Sequence, residues 1–120
     1  MQGAEGVSTA LALDGVAANK IAAHFTLTTA SKLTLEFSSA QEFDAAVVNS
    51  AGKEVFRWSA GRMFAEMLHS VDVVAEKQWP VTLSPTPALP PGKYVLRVWL
   101  TTMGQSAKPY SATVSFEVTQ

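Results

Sequence analysis

Apolar and polar residues alternate along much of this chain, and a period of two dictates strands. In Lys20–Thr28, Ile21, Ala23, Phe25 and Leu27 fall on one face, with Ala22, His24, Thr26 and Thr28 on the other. Leu33, Leu35 and Phe37 alternate with Lys32, Thr34 and Glu36 in the same way. Tyr94, Leu96, Val98 and Leu100 oppose Val95, Arg97, Trp99 and Thr101, and Val114, Phe116 and Val118 oppose Thr113, Ser115, Glu117 and Thr119. Strands buried on one face have this pattern, whereas strands of a parallel sheet, covered on both faces, do not. Ser8–Leu13, Phe43–Asn49, Glu54–Trp58, His69–Val74 and Trp79–Leu83 are weaker strand candidates.

Turn chemistry separates these runs. Asp14-Gly15 and Asn49-Ser50-Ala51-Gly52 read as hairpin connections, with glycine available for positive φ. Ser84–Gly92 carries Pro85, Pro87, Pro90 and Pro91, so it must cross the fold rather than pair within it. Thr102–Pro109 is the other long connection. Short strands at this spacing predict an all-β antiparallel β-sandwich of about eight or nine strands. At 120 residues the chain has room for one core, so residues 1–120 are expected to form a single domain.

One stretch departs from the period of two. Met63 and Met67, Phe64 and Leu68, and Arg62 and Glu66 are each spaced i,i+4, which predicts one short helical turn after Ser59, a candidate N-cap. The reading taken for its apolar groups is a plug over one open end of the sandwich, since a solvent-facing patch of that size is unusual without a partner.

Several functions are excluded or find no support. A net charge of −1 lacks the basic footprint needed to neutralise nucleic-acid phosphates. No apolar run approaches the roughly 20 residues that span a bilayer, so no membrane insertion is expected. Without cysteine there is no disulfide, thiolate metal site or thiol nucleophile. His24 and His69 are the only histidines. No residue at short spacing would complete a metal site with either, and no spacing suggests a group to orient either imidazole for catalysis. Glycines are never clustered to cradle a phosphate. The expectation is a protein that acts by binding, with no catalytic, metal or cofactor site. The carboxylates, spread one to a segment, read as solvated surface charge.

The first twenty residues carry Glu5 and Asp14, have no Lys or Arg before Lys20, and are not expected to be a signal peptide. A cytosolic chain, or an exported domain whose leader lies outside this sequence, would both fit.

Leu89-Pro90-Pro91-Gly92-Lys93-Tyr94 matches the corner of immunoglobulin-like sandwiches, where a tyrosine starting the next strand returns its hydroxyl to the backbone upstream. Tyr94 is therefore expected to bond a backbone group between Ala88 and Pro91.

The central segment runs Phe37-Ser38-Ser39-Ala40-Gln41-Glu42-Phe43-Asp44, then Asn49-Ser50-Ala51-Gly52-Lys53-Glu54-Val55-Phe56-Arg57-Trp58-Ser59, followed by Phe64 and later Pro91-Gly92-Lys93-Tyr94. It resembles the BsuPI-type intracellular proteinase inhibitor family of bacteria. That family shows Phe-Ser-Ser/Thr-Gly-Gln-x-Tyr/Phe-Asp, then Asp/Asn-x-x-Gly-Lys-x-Val-Trp-Arg-Trp-Ser, a nearby Phe and a Pro-Gly-x-Tyr return. The chain departs from it with Ala40 in place of a glycine, Ala45 in place of an aromatic, and Val74-Ala75-Glu76-Lys77 where a Pro-Gly-Glu connection is usual. The resemblance implies a cytoplasmic, immunoglobulin-like sandwich that inhibits subtilisin-type serine proteinases. Phe37 and Trp58 look structural, as does Tyr94, while Gln41, Asp44 and Ser59 look placed to satisfy turn backbone.

An inhibitor of this kind needs a stiff convex loop with a side chain for the proteinase pocket. Three segments offer one. Ser59–Leu68 has Arg62, Met63, Phe64, Met67 and Leu68; Ser84–Gly92 has Leu89 among its prolines; Thr101–Tyr110 has Met103 and Lys108. The first alone joins a cation to several large apolar groups and is the first choice. The contrasting expectation is a non-inhibitory immunoglobulin-like module that binds protein or serves an envelope assembly.

Overall fold

A computed structural model describes residues 6–103 and 110–119 and turns every alternating run into a strand. In chain order these are β1 (Val7–Ala17), β2 (Lys20–Thr29), β3 (Leu33–Ser39), β4 (Phe43–Asn49), β5 (Glu54–Arg57), β6 (Glu66–Val73), β7 (Glu76–Leu83), β8 (Gly92–Leu100) and β9 (Ser111–Val118). All paired neighbours are antiparallel. One sheet has the order β1-β2-β7 and another β5-β4-β8-β9, while β3 and β6 form a two-stranded ribbon. The ribbon continues the β2–β7 ladder after an interruption, where residues 29–32 oppose only 74–75.

The shared alternation becomes one core. Ile21, Phe25, Leu27 and Phe37 are wholly buried, as are Leu96 and Val98, with Leu35, Phe116 and Val118 nearly so. Leu33 and Val114 sit at its rim, half-buried against the same cluster. Burying a side chain of this size contributes roughly 1.5–3 kcal/mol, which is why strand face and register are set together. The layers are also tied at their margins. Thr9 Oγ1 donates to the Ser111 carbonyl at 2.7 Å, and the Met103 amide to the Glu36 carbonyl at 2.8 Å.

Tyr94 opens β8 as expected: its hydroxyl donates to the Pro90 carbonyl at 2.6 Å, and its ring stacks on Phe116 at 5.5 Å. Asn49 caps its own turn by accepting from the amides of Ala51 and Lys53, both at 3.0 Å, while Gly52 takes φ +83°.

Two local expectations are corrected. Asp14-Gly15 is not a turn. Strand β1 runs on to Ala17 through a bulge between Leu13 and Gly15, and the chain reverses at residues 18–19. The short helical turn is also absent: among the described residues there is no helix. Gly61 adopts φ +78°, which stops a right-handed turn from propagating, and the Ser59 hydroxyl is bonded to Asp44 rather than capping. Glu66 already pairs with Ser39 and His69 with Phe37, so Met67 and Leu68 lie within β6 at a bulge where the register shifts, and not on a helical turn.

Candidate functional site

The segment joining β5 to β6, residues 58–65, is short and braced from several directions. Two successive turns start it, with the Ala60 amide donating to Arg57 and the Arg62 amide to Ser59, each at 3.1 Å. Its two ends are fixed by backbone bonds from Trp58 N to Ala45 O at 2.8 Å and from Ala40 N to Ala65 O at 2.9 Å. Beneath it lies Asp44, only 6% exposed on the outer side of β4. Such a carboxylate is tolerated because donors surround it. Oδ1 accepts from the amides of Ala45 at 2.8 Å and Ser59 at 3.2 Å, and Oδ2 from the Ser59 hydroxyl at 2.8 Å and Arg57 Nη1 at 3.4 Å. Asp44 thus satisfies turn backbone, as its place in the family pattern suggested, and anchors this loop instead of standing as a solvated charge.

Trp58 organises the side chains. Phe43 stacks on its ring at 4.4 Å and Phe64 meets it at 5.6 Å. The Arg62 guanidinium lies 4.2 Å above the same indole while Nε donates to the Trp58 carbonyl at 2.8 Å. Both neighbours of Met63 are therefore held on one aromatic platform, and Met63 itself is 96% exposed. Leu68, at 77%, and Met67, at 48%, follow on β6. The expected plug does not exist: Met63 on the loop and Met67 and Leu68 on β6 face solvent, and only Phe64 turns inward.

The other two segments fare differently. Leu89 is a correction among the expected contacts. It is 6% exposed, belongs to the core, and its amide is tied to Ala18 O at 2.8 Å, so it is not available as the segment's contact side chain. Met103 is partly exposed beside β3, in a groove it shares with Glu36, Phe37, Leu68, His69 and Ser70. Lys108 lies outside the described residues. Phe37 is core, stacked on His69 at 5.2 Å.

Each histidine has an orienting carboxylate that sequence spacing did not reveal. His24 Nδ1 is 2.9 Å from Asp14 on the neighbouring strand. His69 Nε2 is 2.8 Å from Glu42 Oε2, and its Nδ1 is 3.1 Å from the Met67 carbonyl. Glu42 Oε1 also accepts from the Trp79 indole at 3.0 Å. Burial alone would raise the Glu42 pKa, but the bonds from Trp79 and His69, with the nearby charges of His69 and Lys77, hold it below its ordinary value. The bond to Met67, then that to Glu42, raises the pKa of His69. A carbonyl and a carboxylate only accept, so a ring placed between both is favoured as the imidazolium with two N–H groups. Both ring nitrogens of His69 are thus engaged within the protein. Among the described residues, no three His, Asp or Glu side chains are grouped to hold a metal ion, and no helix is long and apolar enough to cross a membrane.

A family model described as intracellular proteinase inhibitor, BsuPI, matches residues 12–105, which include all of this loop and its anchors. The chain belongs to the BsuPI family. No curated protein is a significant match by sequence. Among solved structures, an alkylpurine DNA glycosylase, AlkC, of Pseudomonas fluorescens, bound to DNA containing an abasic site analog, is similar at 16% identity and TM-score 0.53 over 96% of this chain and 31% of the other. Spo0M, a sporulation control protein from Bacillus subtilis, is similar at 14% identity and TM-score 0.52 over 94% of this chain and 49% of the other. This chain thus spans about a third and about half of those two proteins, and the likeness is one of fold.

Membership of the BsuPI family gives the matched residues a structural meaning. Gln41 Nε2 donates to Phe43 O at 2.9 Å, and Ser39 Oγ accepts from the Gln41 amide at 3.1 Å, ordering the approach to Asp44. Ala40, where the family pattern has glycine, needs no positive φ. Ala75 does take one, φ +75°, at the place of the usual Pro-Gly-Glu connection.

Proposed function

We propose that this BsuPI-family chain, residues 1–120 acting as one domain, inhibits a subtilisin-type serine proteinase by binding it through the β5–β6 loop. It acts as a binding protein without a catalytic centre. The observation that carries this reading is the pairing of bracing with exposure: Trp58 and Asp44 order the loop, while Met63 stands almost fully in solvent. A loop ordered before binding avoids most of the entropy cost of fixing it at the interface. Exposed apolar groups of this size usually mark a contact surface, and pockets of subtilisin-type proteinases accept large apolar side chains. The capped ring nitrogens of His69 support the non-enzymatic part of the reading.

The test is a titration of several serine proteinases with the purified chain. Stoichiometric inhibition of a subtilisin-type enzyme at micromolar concentration or below is expected. No inhibition of any of them would favour the contrasting reading, a non-inhibitory immunoglobulin-like module that binds protein or serves an envelope assembly.

A further inference from the structure

Resting on that reading, we infer that Met63 is the side chain that enters the specificity pocket, with Met63–Phe64 presented to the proteinase as a bond it attacks but does not productively cleave. The partner is thereby restricted to proteinases with a large apolar pocket.

Five side chains compete for the pocket, and the geometry separates them. Arg62 is spent on the protein itself, with its guanidinium over Trp58 at 4.2 Å and Nε bonded to the Trp58 carbonyl. Phe64 is half-buried against the same ring. Met67 and Leu68 belong to β6, set in the bulge between the Glu66–Ser39 and His69–Phe37 pairs and not in the loop itself. Only Met63 is both fully exposed and flanked on each side by anchored residues. A trypsin-like enzyme, whose pocket carries a carboxylate, would find no free cation at this position.

The anchoring on both flanks also explains why attack would not end in release. When the proteinase serine oxygen adds to the Met63 carbonyl, the Met63–Phe64 bond breaks, the enzyme takes the acyl group, and the Phe64 nitrogen accepts a proton to leave as an amine. In an ordinary peptide that amine diffuses away and water takes its place. Here Phe64 stays on Trp58, and Ala65 stays bonded to Ala40 at 2.9 Å. The amine is therefore held beside the acyl carbon at high effective concentration, and re-forming the peptide bond outcompetes hydrolysis. Trp58 is a positioning residue in this scheme, since it holds Arg62 and Phe64 and touches no reacting atom.

The experiment compares the wild type with Met63→Gly, Met63→Arg and Met67→Ala against subtilisin and trypsin, with mass analysis of the inhibitor after long incubation. Met63→Gly is expected to weaken subtilisin inhibition at least about 30-fold, the loss typical of a central hot-spot side chain. Met63→Arg should gain trypsin inhibition that the wild type lacks, and Met67→Ala should change little. A slowly accumulating species cut between Met63 and Phe64 is expected with the wild type. If the wild type inhibits subtilisin and Met63→Gly and Met63→Arg do so equally well, the loop-tip assignment is overturned while the inhibitory reading stands. Absence of any wild-type inhibition overturns both. Exposure of Met63 leaves folding untouched, and unchanged unfolding curves for the variants verify this.

Discussion

Ser59 donates twice to Asp44, fifteen residues earlier, from its amide to Oδ1 at 3.2 Å and from its hydroxyl to Oδ2 at 2.8 Å. That pair ties the start of the β5–β6 loop to the outer side of β4. Removing it should loosen the loop before it unfolds the sandwich. Asp44→Ala leaves the Ser59 and Ala45 amides without their acceptor in a nearly dry site. A loss of about 2–3 kcal/mol in urea unfolding is expected, since bonds to a charged acceptor are worth ~1.5–3 kcal/mol and stranded donors add to that. Asp44→Asn, which keeps one acceptor, should lose less. Equal stability of Asp44→Ala and the wild type would remove Asp44 as the anchor.

Ala75 sits at the centre of a three-residue turn between β6 and β7, with φ +75° and the Glu76 amide donating to Val74 O at 2.9 Å. This conformation is strained for a residue with a Cβ. Glycine, the family's usual residue here, would relieve the strain at some cost in unfolded-chain entropy. Ala75→Gly is expected to stabilise the protein by about 0.5–1 kcal/mol, read as an upward shift in the urea midpoint. Destabilisation would show that the turn carries no strain.

Stability should also depend on pH through Glu42 and His69. The raised pKa of His69 gives a contribution fully present below the ordinary value of 6.5 and lost as pH rises through the higher folded value. Glu42 behaves oppositely: its lowered pKa gives a contribution present above 4.5 and lost as pH falls through the folded value. Their joint contribution therefore peaks between 4.5 and 6.5. The stability difference between wild type and His69→Gln, measured by urea unfolding across pH, should be largest in that window and shrink above it. A difference that grows with rising pH would contradict the imidazolium assignment.

Much of this was legible in the sequence, and what was not has a common physical cause. The inward faces of β2, β3, β8 and β9 follow from alternation because one buried face fixes strand register. Met63 to Leu68 misled because apolar residues four apart fit both a helix and a loop entering a strand. Tertiary pairing of Glu66 with Ser39 decided between them. The carboxylate partners of the histidines were invisible for a related reason. Glu42 and His69 are 27 residues apart, brought together only by the fold, and no local spacing signals such a contact. Trp58 was recognisable as structural, but its hold on Arg62 depends on a turn set by Gly61.

The Tyr94 corner, which could be read in advance, offers a direct energetic check. Tyr94→Phe removes the 2.6 Å bond to Pro90 O and keeps the stack on Phe116. A loss of about 0.5–1.5 kcal/mol is expected, and more if the Pro90 carbonyl is left dry. A neutral substitution would mean that the bond does not hold the corner.

In the proposed complex a proteinase covers the tip of the β5–β6 loop. The most direct measurement is peroxide oxidation of the methionines, read peptide by peptide by mass, with and without one equivalent of subtilisin. Met63, 96% exposed, should oxidise rapidly in the free protein and be strongly protected in the complex, while Met103, beside β3, keeps its rate. Oxidation of Met63 at the same rate in an inhibited complex would place the interface elsewhere and contradict this account.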